Sequence, residues 1–151
     1  TGPRPTRGRA SRPSHRHDEP AVTVTQLAAI VYTLATAVVV GFQLALAAGA
    51  PWGEYAMGGR FPGRFPPAMR AAAVVQAVVL ALLALVVLDG AGVVALGWTA
   101  ALPWLGWVPV VVSALSAFMN AITPSRIERR IWLPLGLLLL VSSLAVALAP
   151  G

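Results

Sequence analysis

The sequence predicts an all-α, polytopic membrane protein, an antiparallel bundle of four transmembrane helices behind a disordered, basic N-terminal tail. Three observations lead there. The 151-residue chain is 58% hydrophobic and 11% charged, against roughly 45–50% and about 25% in soluble domains. Its mean hydropathy is +0.77. Its charges collect in the tail and at the borders of four long apolar stretches, and the links between those stretches are short enough to make consecutive helices antiparallel neighbours.

Residues 1–20 carry Arg4, Arg7, Arg9, Arg12 and Arg16, four prolines and almost no apolar side chain, too little to offset the entropy of ordering. His15 and His17 form an H-x-H pair without further ligands, so no metal site and no cofactor is expected. The absence of cysteine removes disulfides, thiolate metal sites and a cysteine nucleophile. All eleven basic residues are arginine, a skew that fits the codon usage of a GC-rich bacterial genome, and the net charge is +6. Those positives flank apolar segments, where orientation signals and lipid phosphates account for them better than nucleic acid does.

The first span, about residues 21–48, lies in an uncharged run longer than the roughly 30 Å hydrocarbon core requires. Its Ala-rich end resembles a signal-peptide cleavage site, but the run exceeds the h-region of such a peptide, so retention is expected. The second span, about 69–88, comes after Pro66-Pro67 and stops at the Asp89-Gly90 turn signal, with Gln76 as its interior polar residue. The third, about 95–122, contains Pro103 and Pro109 among Trp98, Trp104 and Trp107, which predicts a kink or a broken first half. Ser125 and Glu128 have the spacing of a capping box, so the fourth helix should begin near Ser125 and cross the bilayer over about 131–149, with a modest bend at Pro134.

Four crossings place both termini on one side of the membrane, here the cell inner (plasma) membrane. The positive-inside comparison is a near tie, five arginines in the tail against six in the two loops opposite. The denser tail block ahead of the first helix favours a cytoplasmic N-terminus.

Thr25, Tyr32, Thr36 and Gln43 fall within about 20° of one line on helix one. Ser113, Ser116 and Asn120 repeat the pattern on the third segment. Such stripes should face the bundle interior, either as packing joined by hydrogen bonds or as the lining of a cavity. No charged residue lies mid-membrane, which argues against a proton-coupled pump or an ion carrier.

The loops over residues 49–67 and 123–130 should meet at the end opposite the termini. The first holds a tandem G-R-F-P repeat, with Trp52, Tyr55, Phe61 and Phe65 at headgroup level. Its glycines do not form a phosphate loop. The candidate ligand-binding residues are Trp52, Glu54, Tyr55, Arg60, Arg64, Asn120, Ser125, Arg126, Glu128, Arg129, Arg130 and Trp132. Arginine offers paired donors to phosphate or carboxylate, and the aromatics would cover an apolar portion. Ion pairing of Glu54 and Glu128 with the loop arginines, merely closing the bundle, is the competing reading.

The G-A-P-W-G-E stretch at Gly49 to Glu54, the N-A-I-T-P-S-R-I-E-R segment at Asn120 to Arg129 and the Trp-x-Pro of Trp132 to Pro134 carry a resemblance. The chain resembles a group of small four-helix bacterial membrane proteins with a G-A-P-W-G loop and an N-x-x-x-P-S-x-x-E-R segment. The resemblance implies the same four-span fold and brings no reaction with it.

The leading expectation is a non-enzymatic membrane protein that binds a small anionic or lipid-like ligand, or a partner membrane protein, where the two loops meet. Membrane lipids are the expected partners, with another membrane protein or self-association as further options. One alternative is a small membrane-embedded enzyme acting on a lipid or isoprenoid, with Glu54 and Glu128 as acid–base groups. No catalytic residue is assigned, because neither carboxylate has an identifiable nucleophile or metal beside it. Another alternative is the protomer of an oligomeric transporter or channel lined by the polar stripes.

Overall fold

The computed structural model describes Gly2 and residues 22–149, so the expected tail disorder and the His15/His17 pair lie outside the described residues. The helices are α1 (Val24–Ala48), α2 (Pro67–Gly90), the single turn α3 (Trp98–Ala101), α4 (Trp107–Ile122) and α5 (Arg126–Ala147). Helices α1, α2 and α5, and α4 together with the 3-10 turn Pro103–Gly106 before it, are long and apolar enough to cross a membrane. The chain is a multi-pass membrane protein by that measure.

Local chemistry sets the helix ends. Thr23 Oγ1 accepts from the Gln26 amide at 3.1 Å while the Thr23 amide donates to Gln26 Oε1 at 3.0 Å, a full capping box for α1. At the other end Gly49 takes φ +95°, a left-handed conformation that suits glycine. Arg70 Nε donates to the Ala47 carbonyl at 2.6 Å, placing a cation where the helix dipole is negative. Helix α2 opens with Pro67, whose missing N–H would lack a helical partner in any case.

The third segment is more interrupted than one kinked helix. Leu102 leaves helical geometry (φ −133°, ψ 81°) ahead of Pro103, and a 3-10 turn intervenes before α4 begins. The residue before a proline is pushed away from helical geometry, which separates α3 from the 3-10 turn and from α4. Pro109 sits in the first turn of α4, where no helical hydrogen bond is lost. Asp89 does more than mark a turn. Its carboxylate accepts from the amides of Leu96, Gly97 and Thr99 at 2.8, 2.9 and 2.8 Å and from the Thr99 hydroxyl at 2.7 Å, tying α2 to α3.

The contacts establish the antiparallel order. Ala29, Tyr32 and Ala35 of α1 pack with Ala84 and Val87 of α2 and Leu139 and Val146 of α5, so the start of α1 meets the ends of α2 and α5. At the opposite end Leu46 packs with Phe65 and Ala73. The interior is made of small residues: Ala29, Ala35, Ala73, Ala77, Ala84 and Ala117 are buried. A Cβ on Gly136 would lie 3.2 Å from the Ala117 Cα, so α4 and α5 meet nearly backbone to backbone. Large side chains such as Leu34, Val75, Val78, Val111, Leu115 and Val141 point outward. That arrangement fits lipid, since tails solvate Leu and Val and close helix approach depends on small residues. Exposed Trp98, Trp104 and Trp107 mark one end of the bundle and Trp52 the other, consistent with two interfacial belts.

Candidate functional site

Pairing among the helices is uneven. Helices α1 and α2 pack along their lengths, as do α4 and α5, and α1 joins the two hairpins through α5. Helices α2 and α4 scarcely touch. A cavity of about 740 Å³ occupies the space between them at the loop end. Its lining runs from Tyr32 to Gln43 on α1, Met69 to Leu80 on α2, Val112 to Ile122 on α4 and Glu128 to Leu139 on α5. At 1.5 Å per residue each helix contributes wall over ~16 Å, about half of a ~30 Å hydrocarbon core.

The first loop forms the roof. Its turn closes on a Gly53 amide donating to the Gly63 carbonyl at 2.9 Å. A Cβ on Gly53 would fall 1.9 Å from the Phe61 carbonyl oxygen, so glycine is required by space there. Met57, Gly58 and Gly59 come next, with φ of 56°, 70° and 76°. This left-handed run turns the Gly58 amide onto Glu128, which accepts it at Oε2 at 2.8 Å. The same oxygen accepts from the Thr123 hydroxyl at 2.8 Å. Trp132 Nε1 donates to the Tyr55 carbonyl at 2.7 Å. Phe42 lies against both Trp132 and Trp52, with ring centroids 4.6 and 6.1 Å away. The roof is therefore latched to the first two turns of α5.

The Ser125/Glu128 capping box is half made. Ser125 Oγ accepts from the Glu128 amide at 3.3 Å, but the Glu128 carboxylate turns to Gly58 and Thr123 instead of the cap. The buried Glu128 is thus held by neutral donors, and Arg129 donates to the Thr123 carbonyl. Among the described residues, Glu128 engages a backbone amide and a hydroxyl and Arg129 a backbone carbonyl, where the competing reading had ion pairs between the loops.

Of the residues selected from sequence, Tyr55, Arg60, Asn120, Glu128 and Trp132 line the cavity, and Tyr32, Gln43, Ser113 and Ser116 of the interior stripes join them. The others lie off its wall. Trp52 stacks outside Phe42, Ser125 caps α5, and Glu54, Arg64, Arg126, Arg129 and Arg130 are exposed. Arg60 is the one loop arginine on the wall among the described residues. Thr36 is buried away from the cavity, its hydroxyl without a hydrogen-bond partner among the described residues, and Thr25 is half-buried near the start of α1.

Sequence reasoning passed over Phe42, Met57, Met69, Gln76, Met119 and Thr123, all on the wall. Gln76 had a readable signal as the lone polar residue inside its span. Met69 and Met119 had none, because flexible apolar side chains in a membrane helix look like lipid-facing ones, and Met57 reaches the wall only because the first loop folds over the helices.

The wall is mixed in chemistry. Apolar surface comes from Val39, Phe42, Ala72, Leu80, Val112 and Leu135, and uncharged polar groups come from three different helices: Gln43, Gln76, Ser113, Ser116 and Asn120. Asn120 Nδ2 donates to the Ser116 carbonyl at 2.9 Å, which leaves its amide oxygen for another donor. No family model, curated protein or solved structure matches the chain.

Proposed function

We propose that the protein binds one lipid-like amphiphile in the cavity between its two helical hairpins, and that the ligand enters sideways from the bilayer through the gap between α2 and α4. The observation that carries this reading is the cavity itself, about 740 Å³ and mostly apolar, left where α2 and α4 fail to pack. Its size suits one small amphiphile, and its depth matches one leaflet, so a lipid in the leaflet beside the loops needs no reversal to enter. Arg60 at the roof favours an anionic group at that end. The reading places the chain in the plasma membrane of a bacterium, with both termini on the side away from the roof.

Native mass spectrometry of the full chain, released from detergent after incubation with phosphatidylglycerol, tests the proposal. One retained lipid per chain is expected, and Val112→Trp, which fills the gap from α4, should abolish it. A lipid-free protein, or equal retention by the Trp variant, would overturn it. Reporter fusions at the two ends should report the same side of the membrane.

A further inference from the structure

Three carboxamides and two serines from different helices face a cavity that, for an acyl chain alone, should be lined by Leu and Val. Gln43 sits about three turns from Tyr32 along α1, buried and on the wall, and among the hydrogen bonds of the described residues none engages its amide. A polar group enclosed by an alkyl chain and left without a partner is strongly unfavourable, and on this wall that penalty falls on the buried Gln43 amide and on the Asn120 amide oxygen, since Asn120 Nδ2 already donates to the Ser116 carbonyl and lies 3.5 Å from the Ser116 hydroxyl. Each carboxamide presents a donor and an acceptor side by side, the pattern that matches a hydroxyl or an amide. None of these wall groups is ionisable, so they select hydrogen-bonding groups without selecting charge.

From this placement we infer that the polar head of the lipid, rich in uncharged hydroxyl or amide groups such as a sugar, lies inside the cavity among Gln43, Gln76, Ser116 and Asn120, while its apolar chains leave through the α2–α4 gap into the bilayer. The inference rests on the lipid-binding reading and assigns its orientation and ligand class. The outward-facing apolar rims of the gap agree with it. Val112 and Met119 on α4 line the cavity while remaining 37% and 47% exposed, so a chain leaving there passes along apolar surface into lipid. Head-in binding also explains why Arg60 stands at the roof and not deeper, since a phosphate or carboxylate on the head would reach it at the interface.

The full chain in detergent, incubated with equal amounts of a glucosyl diacylglycerol and of diacylglycerol with the same acyl chains, separates the possibilities by native mass spectrometry. Retention of the glucosyl lipid about tenfold above diacylglycerol is expected, the scale of one or two hydrogen bonds. Gln43→Leu with Asn120→Leu should reduce that preference to about threefold or less, read as the ratio of the two lipids retained by the same sample. Gln76→Leu, at an exposed position with no packing role, should act in the same direction and guards against misfolding of the double variant. Equal retention of the two lipids, or a preference that survives all three substitutions, overturns the head-in assignment and leaves lipid binding standing. Retention of neither lipid overturns the head-in assignment, and the lipid-binding reading falls with it when phosphatidylglycerol is not retained either.

Discussion

The roof latch makes a quantitative prediction through Glu128. Both the Gly58 amide and the Thr123 hydroxyl donate to one oxygen, Oε2, at 2.8 Å, and the side chain is 8% exposed. Hydrogen bonds to a charged acceptor contribute about 1.5–3 kcal/mol each, less where water can replace the partner. Once the loop lifts, water does reach Gly58, so Glu128→Ala should cost the closed roof about 2 kcal/mol, which raises the open population ~30-fold. Glu128→Gln keeps a carbonyl oxygen for both donors and loses the charge alone, about 1 kcal/mol or ~5-fold. Limited trypsin cleavage after Arg60 measures this, because cutting tracks the open population when reclosing is fast. Intact-mass analysis assigns the cut. An Ala variant cleaved no faster than the parent would show that Trp132 and the aromatic stack hold the roof unaided. Gln cleaved as fast as Ala would show that the carboxylate's charge, and not its shared oxygen, is what holds Gly58. The pair also bears on acid–base chemistry, since a Gln variant that folds normally yet loses a lipid turnover would point to catalysis.

Three further substitutions test the rest of the framework. Gly53→Ala must move the Phe61 carbonyl, 1.9 Å from the new Cβ, so the first loop should lose its turn and become cleavable at both Arg60 and Arg64; a parent-like digest would refute that geometry. Asp89→Ala strands the Leu96, Gly97 and Thr99 amides and should lower stability by about 1–3 kcal/mol, seen as a lower unfolding temperature in detergent and faster amide exchange over 96–99, whereas unchanged exchange would mean the turn holds itself. Gly136→Leu drives a side chain into the Ala117 backbone and should cost about 1–3 kcal/mol by separating α4 from α5; unaltered thermal stability would show that the contact is looser than 3.2 Å implies.

The crossings were legible in the sequence because they depend on one-dimensional quantities, a run of uncharged residues and the breakers that bound it. The ends of α2 and α5 fall close to Pro67, Gly90 and Ser125 for that reason. Thr23 and Gln26 also have the capping-box spacing, a signal for the start of α1 that the uncharged run, on which the first span was based, did not use. Ser125 and Glu128 have it too, yet half of that box is given up. Spacing alone could not show that the Gly58 amide, 70 residues away in the chain, competes for the carboxylate. The candidate site divides along the same line. Tyr32, Gln43, Ser113, Ser116 and Asn120 could be placed facing inward from helical periodicity, whereas Arg64, Arg126 and Arg130 were chosen by charge and point to solvent. Whether an inward stripe meets another helix or empty space is decided by the failure of α2 to pack on α4. That is a property of the whole bundle and leaves no local signature.

The latch and the cavity share residues, and this couples roof order to occupancy. Glu128 and Trp132 hold the first loop and also line the space beneath it, as do Tyr55 and Gly58 on the loop itself. A molecule that fills the cavity touches the underside of those contacts, so it binds the closed roof better than the open one. Anything that binds one state preferentially stabilises it by RT ln(1 + [L]/Kd), about 2.7 kcal/mol at a hundredfold excess over Kd. That is comparable to the stabilisation assigned to Glu128. A bound lipid should therefore restore much of the protection that Glu128→Ala removes, and in the native protein it should slow cleavage after Arg60 without contacting that bond. The small-residue interior makes this coupling possible. With α1, α2 and α5 packed through Ala29, Ala35 and Ala84 at the terminal end, the space a ligand can fill lies where α2 and α4 part beneath the roof, directly against the latch.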